Sequence, residues 1–470
     1  MSININFAQH FEIIRLVDVF DYVIGGDWGK DPNSNLPEYG PALCIRGSEF
    51  KNWQSDKGKT ASLRSVKINN IRSRQLQEGD ILIEISGGGP EQPVGRTVLI
   101  DKQALSYQPD VPKICTNFLR LARPTKHIYS NFIQFYLKFF YHTGEVVKYQ
   151  GGSNNLRNLK FDDYTSIDFP LPPLAEQQRI VAKIEELFSE LDKGIETLKT
   201  AQQQLKVYRQ AVLKYAFEGK LTNPDVKEGE LPDGWVMTTF ADVALKIGDI
   251  DHKMPAKVSD GKYPYLSTGN ITKENELDFD GAKLISEEDF IRLSRKIKPE
   301  KGDIIFPRYG TIGRNVLVTS EKEFLISYSC AIIKIDSSVM LSKYMYYFSL
   351  SSLTRKEIEK HIVETTQANI GIASIKVFKI NFPKSKNEQE NVVQEIESRL
   401  SVCDKIEESI EQGLQQAEAL RQSILKKAFE GKLVPQDPND EHASVLLERI
   451  KAERAAAQPE KKSRTKKVKA

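Results

Sequence analysis

Arg209-Gln210-Ala211-Val212-Leu213-Lys214-Tyr215-Ala216-Phe217-Glu218-Gly219-Lys220-Leu221 returns later in the chain as Arg421-Gln422-Ser423-Ile424-Leu425-Lys426-Lys427-Ala428-Phe429-Glu430-Gly431-Lys432-Leu433. Glu176-Gln177 and Glu388-Gln389 keep the same offset, as do Asp192-Lys193 and Asp404-Lys405. Nearly half of the positions from Glu176 to Leu221 equal their partners, with no gap. A match of that length and register marks an internal duplication, and the duplication decides the architecture.

Each copy reads as one long helix. Ile180, Ile184, Leu187, Leu191, Ile195, Leu198 and Leu205 recur at three- and four-residue steps in the first. Val393, Ile396, Leu400, Cys403, Ile410, Leu414 and Ala417 form the stripe of the second. Pro172-Pro173 precedes the first helix, and Asn387 with Glu390 makes a capping-box pattern at the start of the second. Gly219 and Gly431 fall where a left-handed residue closes a helix, with Leu221 and Leu433 as hydrophobic partners, and Pro224 and Pro435 forbid continuation. About 42 residues at 1.5 Å each make a rod on the order of 60 Å. A rod with one apolar stripe must bury it, and the other copy is the nearest partner. An antiparallel coiled coil with pseudo-twofold symmetry is expected over a parallel pair, which would set the two domains side by side, because a compact domain then serves as the returning connection.

The segments ahead of the helices are diverged copies too. Leu16-Val17-Asp18-Val19 matches Phe240-Ala241-Asp242-Val243, and Glu78-Gly79-Asp80-Ile81 matches Lys301-Gly302-Asp303-Ile304. Short strands punctuated by Gly and Asp, with helical stretches near 129–140 and 341–359, give an α+β domain in each half. The expected organisation is a first domain over 1–170, a helix over 171–222, a second domain over 223–383, a helix over 384–434, and a C-terminal helix with a basic tail over 435–470.

With 470 residues the chain exceeds one ordinary core. No apolar run is long enough to span a membrane, and Met1–His10 is not a signal peptide, so a cytoplasmic protein is expected. Cys44, Cys115, Cys330 and Cys403 lie far apart without CxxC spacing, which suits reduced thiols and excludes a disulfide framework or structural zinc. The net charge of +3 permits an anionic partner without demanding one. Local runs say more: Arg64, Lys67, Arg72 and Arg74 in the first half, Arg292, Arg295, Lys296, Lys298 and Lys301 in the second, and the lysine-rich tail from Lys461.

The arrangement resembles the specificity subunit of a Type I restriction-modification system. The resemblance rests on Leu171-Pro172-Pro173-Leu174-Ala175-Glu176-Gln177-Gln178-Arg179-Ile180-Val181, the doubled helix ends, Leu231-Pro232-Asp233-Gly234-Trp235, Pro299-Glu300-Lys301-Gly302-Asp303-Ile304 and Leu446-Leu447-Glu448-Arg449-Ile450. The first domain departs from the pattern, beginning with Phe11-Glu12-Ile13-Ile14 in place of Leu-Pro-x-Gly-Trp. The resemblance implies two target-recognition domains, each reading one half of a split, asymmetric double-stranded DNA site. It also implies helices that space the domains and dock two methyltransferase subunits, with motor-nuclease subunits joining. S-adenosylmethionine, ATP and Mg would serve those partners, leaving this chain without catalytic residues or a cofactor.

Bases are read by Arg, Lys, Asn, Gln, Ser and Thr, while phosphate contacts position the protein. Candidate DNA contacts in polar loops and basic runs are Arg46, Arg64, Lys67, Arg72, Arg74, Ser86, Asn154 and Asn155 in the first domain. Those in the second are Thr268, Asn270, Arg292, Arg308, Tyr309, Arg314, Gln367 and Asn369. Taken alone each glycine-rich loop is an ordinary turn; recurrence at equivalent places in both copies favours contact with DNA.

Fragments that imitate catalytic motifs fail on chemistry. Gly58-Lys59-Thr60 resembles the end of a phosphate loop, but Trp53 stands where the first glycine must be. The six histidines show no ligand spacing, and no Asn-Pro-Pro-aromatic or Asp-Pro-Pro-aromatic segment could clamp a target adenine. A fused recognition and methylation enzyme is the alternative from the enzyme class. A coiled-coil adaptor that binds only protein is a third, and it leaves the two polar-loop domains without a task.

Overall fold

The two repeats form helices of equal length, Leu174–Phe217 and Lys386–Phe429, 44 residues each, in a computed structural model. It describes residues 6–34, 36–89, 92–152, 156–363 and 368–457. Both helices close alike. Gly219 and Gly431 take φ of +76° and +67°, while Lys220 N donates to the Tyr215 carbonyl at 2.9 Å and Lys432 N to that of Lys427 at 2.8 Å. These glycines also lack room for a side chain: a Cβ would meet Pro232 Cγ at 2.3 Å at Gly219 and Ala8 Cβ at 2.4 Å at Gly431. One start differs from expectation. The second helix begins at Lys386, so Asn387 lies inside its first turn, and the Ser385 carbonyl accepts from Gln389 N at 3.1 Å.

The chain divides into two units, residues 1–196 with 414–470, and residues 197–413. In the first unit, a four-stranded antiparallel sheet runs in the order Phe20–Gly25, Leu119–Pro124, Ile81–Glu84, Thr97–Leu99. A second sheet sets Tyr39–Ile45 between antiparallel Ser62–Lys67 and parallel Lys113–Cys115. Strands Glu12–Arg15 and Asp168–Leu171 pair at the base. Helix Ser130–His142 turns Phe132, Tyr136 and Phe139 inward, where all three meet the ring of Phe429 within centroid distances of 5.2 to 5.5 Å. Phe429 is fully buried, so Phe429→Ala would cost about 3–5 kcal/mol. The two helix segments are antiparallel here: Asp192 pairs with Arg421, while Glu176 meets His10, which packs beside Gly431.

The second unit repeats this plan. Its four-stranded antiparallel sheet runs Ala244–Gly248, Cys330–Ile335, Ile304–Pro307, Val316–Leu317. Tyr263–Leu266 lies between antiparallel Lys283–Ile285 and parallel Leu325–Ile326, and Trp235–Thr239 pairs with Lys379–Pro383. Phe217 packs against Tyr344 and Phe348 at 5.2 and 5.0 Å. The helix segments again run antiparallel, with Arg209 on Asp404 and Glu407 at 2.8 and 2.9 Å and Leu198 beside Gly413. The helical stretch expected near 341–359 is two helices, Ser342–Ser349 and Ser352–His361. Ser351 caps the later one by accepting from Thr354 N.

The repeated glutamine has one task in both units. Gln177 accepts from Tyr129 N and donates to the Pro172 carbonyl, each at 2.9 Å. Gln389 accepts from Leu341 N at 2.9 Å and donates to the Pro383 carbonyl at 3.0 Å. Both glutamines are fully buried, so each satisfies a free N–H at the start of the packing helix and a carbonyl before its own helix. Aspartates do likewise for the sheets, Asp80 with Arg123 at 2.7 Å and Asp303 with Lys334 at 2.8 Å. Segment 435–457 belongs to the first unit alone: Asp440 holds Arg179 at 2.6 Å, and Leu446 and Ile450 of helix Ala443–Ala457 enter its core.

Candidate nucleic-acid interface

In each unit several of the candidate residues fall in two places, on or beside the three-stranded sheet and where a glycine loop pairs with a later segment. In the first unit Arg64 and Lys67 lie on strand Ser62–Lys67, and Arg72 and Arg74 on helix Ile68–Arg74, so the basic run is regular structure and not a loop. Arg64 stacks on Trp28 at 4.4 Å and donates from Nε to its carbonyl at 3.1 Å. Arg74 Nε donates to the Gly25 carbonyl at 2.8 Å. Lys67 and Arg72 are exposed. Arg46 follows strand Tyr39–Ile45 and binds Glu49 through Nε at 2.9 Å.

Ser86 stands on a short strand, Ser86–Gly88, that pairs with Arg157–Leu159, which in turn pairs with Gln150–Gly151. The glycine loop and the second polar segment, far apart in sequence, are thereby joined. Asn154 and Asn155 lie outside the described residues. At the end of the interior strand Ile81–Glu84 the buried Glu84 is neutralised by Arg96 through two hydrogen bonds, at 2.8 and 2.5 Å.

In the second unit Thr268 and Asn270 form a short 3-10 turn after strand Tyr263–Leu266, where Asn270 Oδ1 accepts from Ser267 N at 3.1 Å. Tyr309 and Asn369 are bridged through their backbones, as are Val363 and Asn369. This is the counterpart of the Ser86 junction. Gln367 lies outside the described residues. Arg314 is exposed at the end of the 309–314 loop, and Arg292 pairs with Asp289 within helix Glu287–Ser294.

Arg308 does not reach into solvent. Its side chain is 9% exposed; Nη1 donates to Asp249 Oδ2 at 2.6 Å and Nε to the Ile370 carbonyl at 2.9 Å. It therefore clamps the segment that carries Asn369. Asp249 also takes Lys296 Nζ at 2.7 Å and His252 Nε2 at 3.2 Å. Burial raises the Asp249 carboxyl, but hydrogen bonds from Lys296 and His252 and the nearby Lys296 and Arg308 charges outweigh it, holding the group below the usual range. The His252 ring stacks on Tyr328 at 4.5 Å. Asp249, His252 and Tyr328 escaped the sequence reading; Lys296 was visible only as part of a basic run. The Asp249 carboxylate stands more than forty positions from Lys296 and Arg308, a separation that no local spacing signals, and His252, three positions on, carries no signal by itself.

Gly58 takes φ of +74° above the Trp53 ring, a turn with no phosphate-cradle geometry. Among the described residues no group of His, Cys, Asp or Glu stands close enough to hold a metal ion, and no helix is long and apolar enough to cross a membrane.

The sequence profile described as "Type I restriction modification DNA specificity domain" matches residues 9–206 and 232–418. The chain is 28% identical to the Type I restriction enzyme EcoKI specificity subunit of Escherichia coli (strain K12) over 440 residues, 90% of each chain. Its fold is similar to a solved chain described as "Structural basis underlying complex assembly and conformational transition of the type I R-M system", with a TM-score of 0.66 and 17% identity over 91% of this chain and 99% of that one. The HsdS subunit from Thermoanaerobacter tengcongensis gives a TM-score of 0.52 at 17% identity, over 91% and 98% of the two chains.

Proposed function

This chain belongs to the Type I restriction modification DNA specificity family, and we propose that it is the subunit through which a Type I complex reads a two-part DNA sequence. Duplication with divergence carries the reading. Both recognition domains keep one strand order in the four-stranded sheet and in the three-stranded sheet around its parallel pair, one buried glutamine, and a backbone pairing of the glycine loop with a later segment. The side chains at the junction differ: Ser86 in one, Tyr309 with Asn369 in the other. A shared frame with unlike contact residues is what reading two unlike half-sites requires.

In this reading each domain takes one half of a split, asymmetric double-stranded site. Two modification subunits dock on the paired helices, and motor-nuclease subunits join the assembly. S-adenosylmethionine, ATP and Mg belong to those partners, and this chain makes and breaks no bonds. It supplies the address.

The test is to express the chain with its modification subunits in a host lacking that methylation and to map methylated adenines genome-wide, with and without it. The expected result is a sequence of two fixed parts around an unread spacer, methylated only when this chain is present. Methylation by the purified chain alone, or an unsplit recognition sequence, would overturn the reading.

A further inference from the structure

Asp249 carries more cation than its burial demands. Its side chain is 8% exposed and needs one partner to be neutral, and Arg308, 9% exposed, is that partner. Lys296 then brings a second positive charge to the same carboxylate, and His252 a third donor. Those two side chains are 53% and 63% exposed, so the cluster has a neutral interior and a positive face. The face is rigid for surface side chains. The carboxylate fixes Lys296 Nζ and His252 Nε2, the Tyr328 ring fixes the imidazole plane, and Lys246 Nζ holds the Lys296 carbonyl.

The same cluster is tied to the candidate reading loop. Arg308 is followed by Tyr309 and is bonded to Ile370, next to Asn369. Tyr309 and Tyr328 rings lie 6.5 Å apart, edge to face. A pre-ordered cation beside a base-reading junction is what a phosphate contact needs in order to set register without losing side-chain entropy.

We propose that Lys296 and His252 form a DNA-backbone anchor of the second recognition domain, gripping one phosphate, with Asp249 as the residue that positions both. The anchor rests on the DNA-reading role proposed above. It contributes affinity for every sequence and fixes where Tyr309 and Asn369 fall on the second half-site. Among the described residues of the first domain, the strand that matches Ala244–Gly248, Phe20–Gly25, is followed by Asp27, whose carboxylate accepts from Asn70 Nδ2 at 2.7 Å and Gly29 N at 2.9 Å in place of a lysine and a histidine.

The experiment uses the full chain in complex with its modification subunits and two duplexes of equal length, one carrying the mapped methylation site and one random. Lys296→Gln should lower the slope of log affinity against log salt by about one unit on both duplexes. That is about 4-fold less loss of affinity between about 50 and about 200 mM salt. Lys296→Arg should retain the slope, and the methylated sequence should stay the same. Asp249→Asn should lower the slope as Lys296→Gln does, and the double variant should lower it no further, whereas a purely structural aspartate would change the melting temperature and leave the slope. An unchanged slope in both Lys296→Gln and His252→Ala would overturn the anchor. A wild-type complex with no affinity for DNA would instead overturn the functional reading itself.

Discussion

Trp235 donates its indole N–H to Oε1 of Glu388 at 2.6 Å. In the other unit His10 takes that place, its Nε2 lying 3.0 Å from Glu176. Both donors also cover the glycine that closes a long helix, Trp235 at Gly219 and His10 at Gly431. The first domain therefore lacks the Leu-Pro-x-Gly-Trp motif and keeps its function with a smaller aromatic donor. Trp235→Phe keeps an aromatic ring but removes the indole donor, so the full chain should lose about 1.5–3 kcal/mol. His10→Phe should cost at least as much, because Glu176 is fully buried. Denaturant midpoints equal to wild type in both variants would show that these contacts are incidental.

The basic run of the first domain separates into two kinds of residue. Lys67 and Arg72 are exposed, so Lys67→Ala and Arg72→Ala should each lower the salt slope of DNA binding by about one unit at unchanged thermal stability. Arg64 and Arg74 are held by the backbone at Trp28 and Gly25. Their alanine variants should lower the melting temperature as well. Salt titrations of the four variants beside their melting curves decide this; a slope unmoved at Lys67 and Arg72 returns the run to ordinary solvated surface.

Sequence preference should change one half at a time. Ser86→Ala should alter the first half-site only, and Tyr309→Phe the second only, each by about 1–3 kcal/mol of discrimination. A methylation library with each half randomised in turn reads this directly. Equal losses in both halves from either variant would refute independent reading heads.

The thiols give a pH window. Burial pushes Cys44, Cys115 and Cys330 up to about 12 from 9.0, with the neighbouring Asp27 adding to the rise at Cys44. The folded state thus keeps its protons where the unfolded chain gives them up. The contribution is whole below about pH 9 and is lost as pH rises from 9 towards 12. Iodoacetamide at pH 9 should leave all three unmodified in the native chain and label them in denaturant, as mass spectrometry would show. Rapid native labelling of Cys44 would contradict its burial in the cluster with Ala42, Val66, Ile71 and Ile114.

Much of this architecture was legible because its signals are local. The helices announce themselves through a three-to-four-residue stripe, a closing glycine and a proline beyond, all within one stretch of chain. The duplication needed only an offset, and Gly79-Asp80 with Gly302-Asp303 marked the same turn twice, with φ of +90° and +93° at the glycines. Tertiary structure decided what depends on distant partners. No local pattern shows that Tyr39–Ile45 pairs in parallel with Lys113–Cys115, or that Ser86 meets Asn158. Arg308, to the sequence an arginine in a glycine loop open to solvent, turns inward because a carboxylate at Asp249 waits there. A guanidinium goes where a buried charge must be neutralised, and only the folded chain says where that is.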